Sequence, residues 1–121
     1  METTEDLPFF GYGRFAEGDD LQIRVLGRRL EGEPARLEGY RVEQTRGYSY
    51  LTEDEGQSVE GVLYKGMRPS DYWMLDEYQG LQQDYYRRRA VQVEAGPRRL
   101  DAFAYVVGPA LSYEDTDAET K

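Results

Sequence analysis

The residues with the clearest potential for chemistry occupy the stretch Leu75-Asp76-Glu77-Tyr78-Gln79-Gly80. Gln79 lies four residues after Leu75 and seven after Tyr72, so these three side chains share one face of a helix. Glu77 falls on a different face. We therefore predict that the Gln79 amide points into the protein and that the following glycine ends the helix. An amide can hydrogen-bond a substrate, but it cannot carry a proton between sites.

A glycine loop, Gly11-Tyr12-Gly13-Arg14-Phe15, is the second candidate. Two glycines around a tyrosine allow a tight turn and bring bare N–H groups close to a ligand. Such a loop can hold a carboxylate or carbonyl oxygen, although an isolated Gly-x-Gly is more often a plain turn. It is not a dinucleotide-binding fingerprint, because the third glycine and the downstream acid are missing.

The composition restricts the possible reactions. The chain has no Cys and no His, which excludes thiolate nucleophiles, disulfides, Cys or His metal sites and a histidine base. Acid–base chemistry must therefore come from Asp, Glu, Tyr or Lys. The net charge of -9 argues against a nucleic-acid partner, which needs a basic face. A secretion signal and a membrane-spanning run are both absent, so the sequence predicts a cytoplasmic protein without a membrane partner.

The length of 121 residues predicts one domain with a single core. We place this domain at residues 7–110, between a disordered N-terminal tail at 1–6 and an acidic C-terminal tail at 111–121. The 11 tyrosines pack like other aromatics but need partners for their hydroxyls. They predict a core or cavity wall with a wet side.

The elements that must position these residues are mostly strands. We predict strands at 7–12, 35–42, 48–51, 58–65, 85–95 and 100–107, the last two forming a hairpin. A charged turn at 52–57 separates the third strand from the fourth, and Gly61 indicates a bulge or a close backbone approach. One helix is predicted from a cap at Asp19 or Asp20 to about Leu26, and another from an N-cap at Ser70. The chain is thus predicted to be an α+β domain dominated by strands.

Several stretches, in chain order, resemble one protein family. They are Phe10-Gly11-Tyr12-Gly13-Arg14-Phe15, Ala35-Arg36-Leu37-Glu38-Gly39-Tyr40, Val59-Glu60-Gly61-Val62-Leu63-Tyr64, Leu75-Asp76-Glu77-Tyr78-Gln79-Gly80, Tyr86-Arg87-Arg88, Val91-Gln92-Val93 and Ala104-Tyr105-Val106. Together they are similar to the gamma-glutamylcyclotransferase family, in its small avirulence-induced-gene-like branch, over about residues 8–107. That branch includes gamma-glutamylamine cyclotransferases and the deprotecting enzyme of butirosin biosynthesis. Each motif alone is weak, whereas the ordered set is fairly specific.

The resemblance implies a small mixed β-barrel with flanking short helices and a reaction that uses no cofactor. In that reaction, of acyltransferase or lyase type, the α-amino group of a gamma-glutamyl amide attacks its own γ-carbonyl. The products are 5-oxoproline and a free amine. The expected partner is therefore a small-molecule gamma-glutamyl substrate, in some members at a deprotection step of a biosynthetic pathway. We expect a monomer or homodimer.

The resemblance also assigns the site. It implies that Tyr12, Gly13, Arg14 and Phe15 bind the glutamyl unit through backbone N–H groups, and that Tyr86 lies near the pocket. Arg14 departs from the family, which has a small hydroxylated residue at this position. Its guanidinium could pair with a substrate carboxylate or an acidic acyl partner.

The larger departure is Gln79, because the family has a glutamate there as proton acceptor. Three interpretations stay open: a natural glutamate has been replaced to inactivate the chain, the glutamine is natural in a binding protein, or another acid has taken over. The candidate acids are Glu77, Asp76 and Asp84, although Asp76 is better explained as a structural hydrogen-bonding residue.

Two further features are predicted to be structural. The arginines at 87–89 split between two strand faces and are expected to pair with nearby acids. Trp73 is predicted to be a packing anchor.

Overall fold

Five strands and two α-helices form the described part of the chain, residues 6–16, 20–45 and 48–110, in a computed structural model. The strands are β1 (Phe9–Gly11), β2 (Gly32–Thr45), β3 (Tyr48–Tyr64), β4 (Tyr86–Ala95) and β5 (Arg98–Val107). The helices are α1 (Asp20–Leu26) and α2 (Pro69–Tyr78), and short 3-10 turns follow β1 at Gly13–Ala16 and α2 at Leu81–Gln83. No helix in these three ranges is long and apolar enough to cross a membrane.

The strands close into a barrel in the order β1-β3-β2-β4-β5, with a further pairing between β3 and β5. The β2–β3 and β4–β5 pairs are antiparallel, whereas β1 runs parallel to β5 with Phe9 opposite Phe103. The predicted α+β fold with a mixed barrel is therefore confirmed. The predicted hairpin is also confirmed, and it turns at Gly96, which has φ 62.

The charged turn predicted at 52–57 is wrong, because β3 continues through it as one strand. The β2–β3 register shifts between Glu38 and Tyr40, where residues 54–57 stand opposite Gly39. Gly39 has φ 87, a conformation that glycine adopts without steric cost. Residues 54–57 therefore form a four-residue bulge, and β2 is long enough to pair with β3 on both sides of it.

The close backbone approach predicted at Gly61 is confirmed. A Cβ atom there would lie 2.4 Å from the carbonyl oxygen of Gly11 and 2.7 Å from Phe10 Cζ. Since β1 and β3 pair at this point, the missing side chain lets β1 cross tightly over β3. This contact fixes the place where the glycine loop leaves the barrel.

Buried side chains form two separate regions. The barrel core is mainly aliphatic and consists of Phe10, Ala35, Leu37, Leu51, Val59, Leu63, Val91, Val93, Ala95, Ala102, Ala104 and Val106. The aromatic layer contains Phe9, Phe15, Leu26, Leu30, Tyr50, Tyr64, Met67, Tyr72, Leu75, Tyr86 and Tyr105. Alternation along β5 separates the two regions, because side chains of successive strand residues point to opposite faces.

Five tyrosine hydroxyls donate to groups of the protein itself. The bonds run from Tyr12 to Tyr105 O (2.7 Å), Tyr72 to Leu7 O (2.6 Å), Tyr86 to Ser49 O (2.6 Å), Tyr105 to Asp76 Oδ1 (2.7 Å) and from Tyr64 to Phe15 O. The tyrosines therefore find the partners that their burial requires. Four of these acceptors are main-chain carbonyls, so these hydroxyls hold the fold together, and the wet side of the wall stays a prediction.

The start of α2 differs from the prediction. Ser70 lies inside the helix, and the N-cap is Arg68, whose backbone N–H donates to Asp71 Oδ2 at 2.9 Å. Pro69 sets this start, because proline lacks the N–H that would go unpaired in a first turn. The prediction for Trp73 is also wrong, since its side chain is 67% exposed. It lies beside the buried face of the helix and not on it.

Some predictions fall on residues outside the three described ranges. These are the tails, apart from Asp6, and the helix cap at Asp19; the side chain of Asp20 also lies outside the described part. Asp6 belongs to the described part, and its N–H donates to Met67 O at 2.9 Å.

Candidate functional site

The glycine loop forms a tight turn directly after β1. Gly13 has φ 60, and the N–H of Phe15 donates to the carbonyl oxygen of Tyr12 at 3.3 Å. A Cβ atom on Gly13 would lie 4.0 Å from Ser49 Cβ, an ordinary contact. Glycine is therefore required here for its backbone conformation and not for space.

Tyr12 anchors this loop to the barrel. Its ring packs against the barrel core and its hydroxyl donates to Tyr105 O at 2.7 Å. Burial, and next the nearby Tyr86, raise the pKa of the Tyr12 hydroxyl, so it stays protonated at neutral pH and cannot act as a base. What Tyr12 can offer a ligand is its backbone.

Gln79 lies at the end of α2, on the face that the sequence predicts. Tyr72 and Leu75 on this face are buried, Gln79 is half-buried and Glu77 is exposed. The backbone N–H of Gln79 still donates to Leu75 O at 2.8 Å, so its backbone is held by the helix. Its side chain is only partly enclosed, and the inward direction of its amide stays a prediction.

The residue after it, Gly80, ends the helix as predicted. It adopts φ 71, and a Cβ atom there would lie 2.9 Å from Tyr85 Cδ2. Both the backbone conformation and the lack of space require glycine. The chain then turns into β4, which brings in Tyr86.

The glycine loop and the end of α2 meet through aromatic rings. Phe15 and Tyr78 pack edge to face with centroids 6.0 Å apart. Tyr86 is buried, and its hydroxyl donates to the carbonyl oxygen of Ser49, the residue beside Gly13. The structure thus gathers Tyr12, Gly13, Phe15 and Tyr86, and the observed link to Gln79 runs through its neighbour Tyr78.

Arg14 is described through its backbone, which belongs to the 3-10 turn. Its side chain lies outside the described part of the structure, so the proposed pairing with a substrate carboxylate stays a prediction.

None of the three candidate acids is well placed to replace a glutamate at position 79. Asp76 accepts the Tyr105 hydroxyl through Oδ1 at 2.7 Å, and its Oδ2 lies 3.6 Å from Arg88 Nη2. Its oxygens are therefore engaged by groups of the protein, in agreement with a structural role. Glu77 is exposed. Asp84 is also exposed, and it lies 4.0 Å from Arg87.

The cluster around Asp76 includes Arg88 and Tyr105. The sequence did not predict the contacts of these two residues with α2. The guanidinium carbon of Arg88 lies 4.7 Å from the ring centroids of both Tyr72 and Phe103, in the range of a cation–π contact. Burial, followed by the bond to Asp76, raises the pKa of Tyr105. Strand alternation places Tyr105 on the outer face of β5, but no local pattern indicates its bond to a residue 29 positions away.

The arginines at 87–89 pair with acids, as predicted. The pairs are Arg87–Asp84 (4.0 Å), Arg88–Asp76 (3.6 Å) and Arg89–Glu53 (2.7 Å).

The described residues contain few features that could hold a metal ion or a cofactor. Within 6–16, 20–45 and 48–110, no group of three or more acidic side chains could hold a metal ion. A surface depression of about 200 Å³ is lined by Glu38, Gln92, Glu94 and Arg99, and none of these is a predicted site residue. The expected lack of a cofactor stays a prediction.

Known proteins share both the sequence pattern and the fold. The profile of the family described as Gamma-glutamyl cyclotransferase, AIG2-like, matches residues 9–120. A relative from Methanocaldococcus jannaschii, described as a gamma-glutamylcyclotransferase and putative RNase, is 23% identical over 99 residues, which cover 80% of this chain and 44% of the relative. The chain therefore spans less than half the length of that curated relative.

Two solved structures show the same fold. A solution structure from Arabidopsis thaliana has a TM-score of 0.72 and 19% identity, covering 94% of this chain and 84% of that one. A structure described as gamma-glutamyl cyclotransferase has a TM-score of 0.71 and 20% identity, covering 84% and 66% respectively. Since the family profile also matches most of the sequence, the chain belongs to the AIG2-like gamma-glutamyl cyclotransferase family.

Proposed function

We propose that the chain binds a gamma-glutamyl amine or amide between the glycine loop and the end of α2, and that this site is built for its cyclisation. The α-amino nitrogen forms a bond to the γ-carbonyl carbon, and the bond from that carbon to the leaving amine breaks. The α-ammonium gives up two protons as it becomes the lactam N–H, and both end on the leaving nitrogen, which departs as an ammonium. The products are 5-oxoproline and the free amine, as in the removal of a glutamyl protecting group.

The observation that supports this proposal is the contact between the glycine loop and the last turn of α2, directly before residue 79. The Phe15–Tyr78 contact, with centroids 6.0 Å apart, ties the loop to the end of the helix. The nucleophile is already tethered to its target, so holding the reactive conformer supplies several kcal/mol of the acceleration. Backbone N–H groups of the loop are suited to holding the glutamyl unit.

Gln79 limits what this chain can do. It can orient a substrate through hydrogen bonds, but it cannot accept a proton from the ammonium. The neighbouring acids do not compensate, because Asp76 is engaged by Tyr105 and Glu77 is exposed. Loss of a general base lowers a rate by about 10²–10⁴-fold, so binding persists while turnover is slow.

A second function, non-catalytic binding of gamma-glutamyl or related small molecules, is favoured by the same residue. The motif around position 79 is intact, and only the group that would move the proton is exchanged. An amide there keeps donors and acceptors for a ligand.

The test compares this chain with Gln79→Glu on a panel of gamma-glutamyl amines, with 5-oxoproline as the measured product. We expect the variant to be faster by about 10²–10⁴-fold. Gln82→Glu is the matched control, since it adds the same charge at an exposed glutamine nearby. Product from neither chain across the panel would overturn the cyclotransferase proposal. Calorimetric binding of a gamma-glutamyl amine by both would then favour the binding function.

A further inference from the structure

Tyr105 connects the two halves of the site. It lies on β5 and is 1% exposed. Its main-chain carbonyl accepts the hydroxyl of Tyr12 at 2.7 Å, and its own hydroxyl donates to Asp76 Oδ1 at 2.7 Å. One residue is therefore bonded both to the glycine loop and to α2.

The bond to Asp76 constrains the last turn of the helix. A buried hydroxyl without a partner is unfavourable, so Tyr105 holds the carboxylate in one direction. Arg88 lies 3.6 Å from the second oxygen and is itself held against two aromatic rings. Asp76 precedes Gln79 by three residues, less than one turn of helix. A rotation of that turn would move both side chains together.

An aromatic contact constrains the same turn from the other side. Phe15 packs on Tyr78. Phe9 contacts both Phe15 and Tyr105, with its ring centroid 5.3 Å from that of Phe15 and 5.9 Å from that of Tyr105. Apolar packing is not directional, whereas a hydrogen bond weakens steeply when its angle changes. The aromatic rings therefore fix the distance between the glycine loop and α2, and the Tyr105–Asp76 bond fixes the rotation of the last turn of α2 about the helix axis.

We propose that Tyr105 is a positioning residue, whose hydrogen bond to Asp76 sets the direction of the side chain at position 79 relative to the glycine loop. Its effect on catalysis rests on the proposed function. Its effect on the orientation of Gln79 does not, and it can be measured without a substrate.

The first experiment records the side-chain amide signals of Gln79 in ¹⁵N–¹H NMR spectra of this chain, Tyr105→Phe and Tyr72→Phe. Tyr72 is the matched control: it is as buried as Tyr105, lies on the helix that precedes Gln79 and donates to Leu7 O. Both variants lose one hydroxyl and should have a similarly lowered melting temperature. We expect the Gln79 signals to shift or broaden in Tyr105→Phe and to stay in place in Tyr72→Phe. Equal changes in both variants, or no change in Tyr105→Phe, would overturn the proposal.

The second experiment repeats the comparison in the Gln79→Glu background, with 5-oxoproline as the readout. A misplacement on the ångström scale lowers a rate by about 10²-fold, so we expect Tyr105→Phe to lower kcat by up to that factor at a nearly constant KM. Tyr72→Phe should keep both constants. A parallel loss in both variants contradicts positioning. If Gln79→Glu has no activity at all, the proposed reaction fails, and the NMR comparison still decides the role of Tyr105.

Discussion

The barrel core and the aromatic layer are both buried, yet they hold the protein together in different ways. The core is packed from aliphatic and small side chains such as Leu37, Val93 and Ala104, at 1%, 0% and 0% exposure. The layer is built around rings with polar ends, and its tyrosine hydroxyls donate to defined oxygens, as Tyr86 does to Ser49 O. The barrel core is stabilised by close packing, which depends on side-chain volume. The aromatic layer is stabilised in addition by hydrogen bonds, which depend on the direction of each hydroxyl.

This difference explains where the candidate site lies. Phe15 and Tyr86 belong to the layer, and Tyr12 reaches from the loop to its member Tyr105. Aliphatic packing tolerates small rotations, whereas a site must hold its groups in a fixed geometry. We therefore expect changes in the core to affect stability, and loss of the layer's bonds to the glycine loop or to the end of α2 to affect the site as well.

The largest effect should come from the core. Leu37→Ala removes a side chain that is 1% exposed and leaves a cavity, which costs about 2–5 kcal/mol in the free energy of unfolding. Val42→Ala is the matched control on the same strand. That side chain is 39% exposed, so its loss should cost no more than about 0.5 kcal/mol. Urea unfolding measures both.

The comparison breaks if Leu37→Ala also moves the Gln79 side-chain amide signals as far as Tyr105→Phe does. The barrel core would then also orient the site, and stability and site geometry could not be assigned to separate regions.

The sequence predicts the parts of both regions that depend on local periodicity. Alternation in the hairpin separates Ala104 from Tyr105, and helical spacing places Gln79 on the face of Tyr72 and Leu75. The predicted position of the site rests on the resemblance of these motifs to a family, and it stays a prediction. Local patterns suffice where one residue's neighbours along the chain determine its environment.

What the sequence misses depends on contacts between distant residues. The predicted turn at 52–57 fails because the pairing of β3 with β2 continues past the bulge at Gly39. The bond between Tyr105 and Asp76 joins a strand to a helix, and nothing near either residue indicates it. Trp73 has the size of a packing anchor, but the partners of α2 lie on the neighbouring face.

An effect of intermediate size should appear at alkaline pH and should come from the layer. Burial raises the pKa of Tyr72 and that of Tyr105, in the second case together with the bond to Asp76. In the unfolded chain these hydroxyls ionise near pH 10. Stability from the raised pKa is therefore complete below about pH 10 and is lost as the pH rises further, by up to about 1.4 kcal/mol per pH unit for each tyrosine.

Urea unfolding between about pH 8 and pH 11 measures this loss. Tyr72→Phe should make the decrease shallower, because one such hydroxyl is gone, and Tyr78→Phe, at a 46% exposed tyrosine of the same helix, should leave it unchanged. Equal slopes in all three chains would contradict the assignment of this sensitivity to the layer.

The smallest effect should appear at acid pH and belongs to neither buried region. Hydrogen bonds from Lys65 and then Arg98 lower the pKa of Glu33, a half-buried residue at the start of β2. Because the folded pKa is below the unfolded one, this contribution is present above about pH 4.3 and is lost as the pH falls through the folded pKa. Glu33→Gln should therefore reduce the acid-induced loss of stability slightly. Glu60→Gln, at an exposed acid of β3, is the control. If both variants keep the full loss, the acid sensitivity does not come from Glu33.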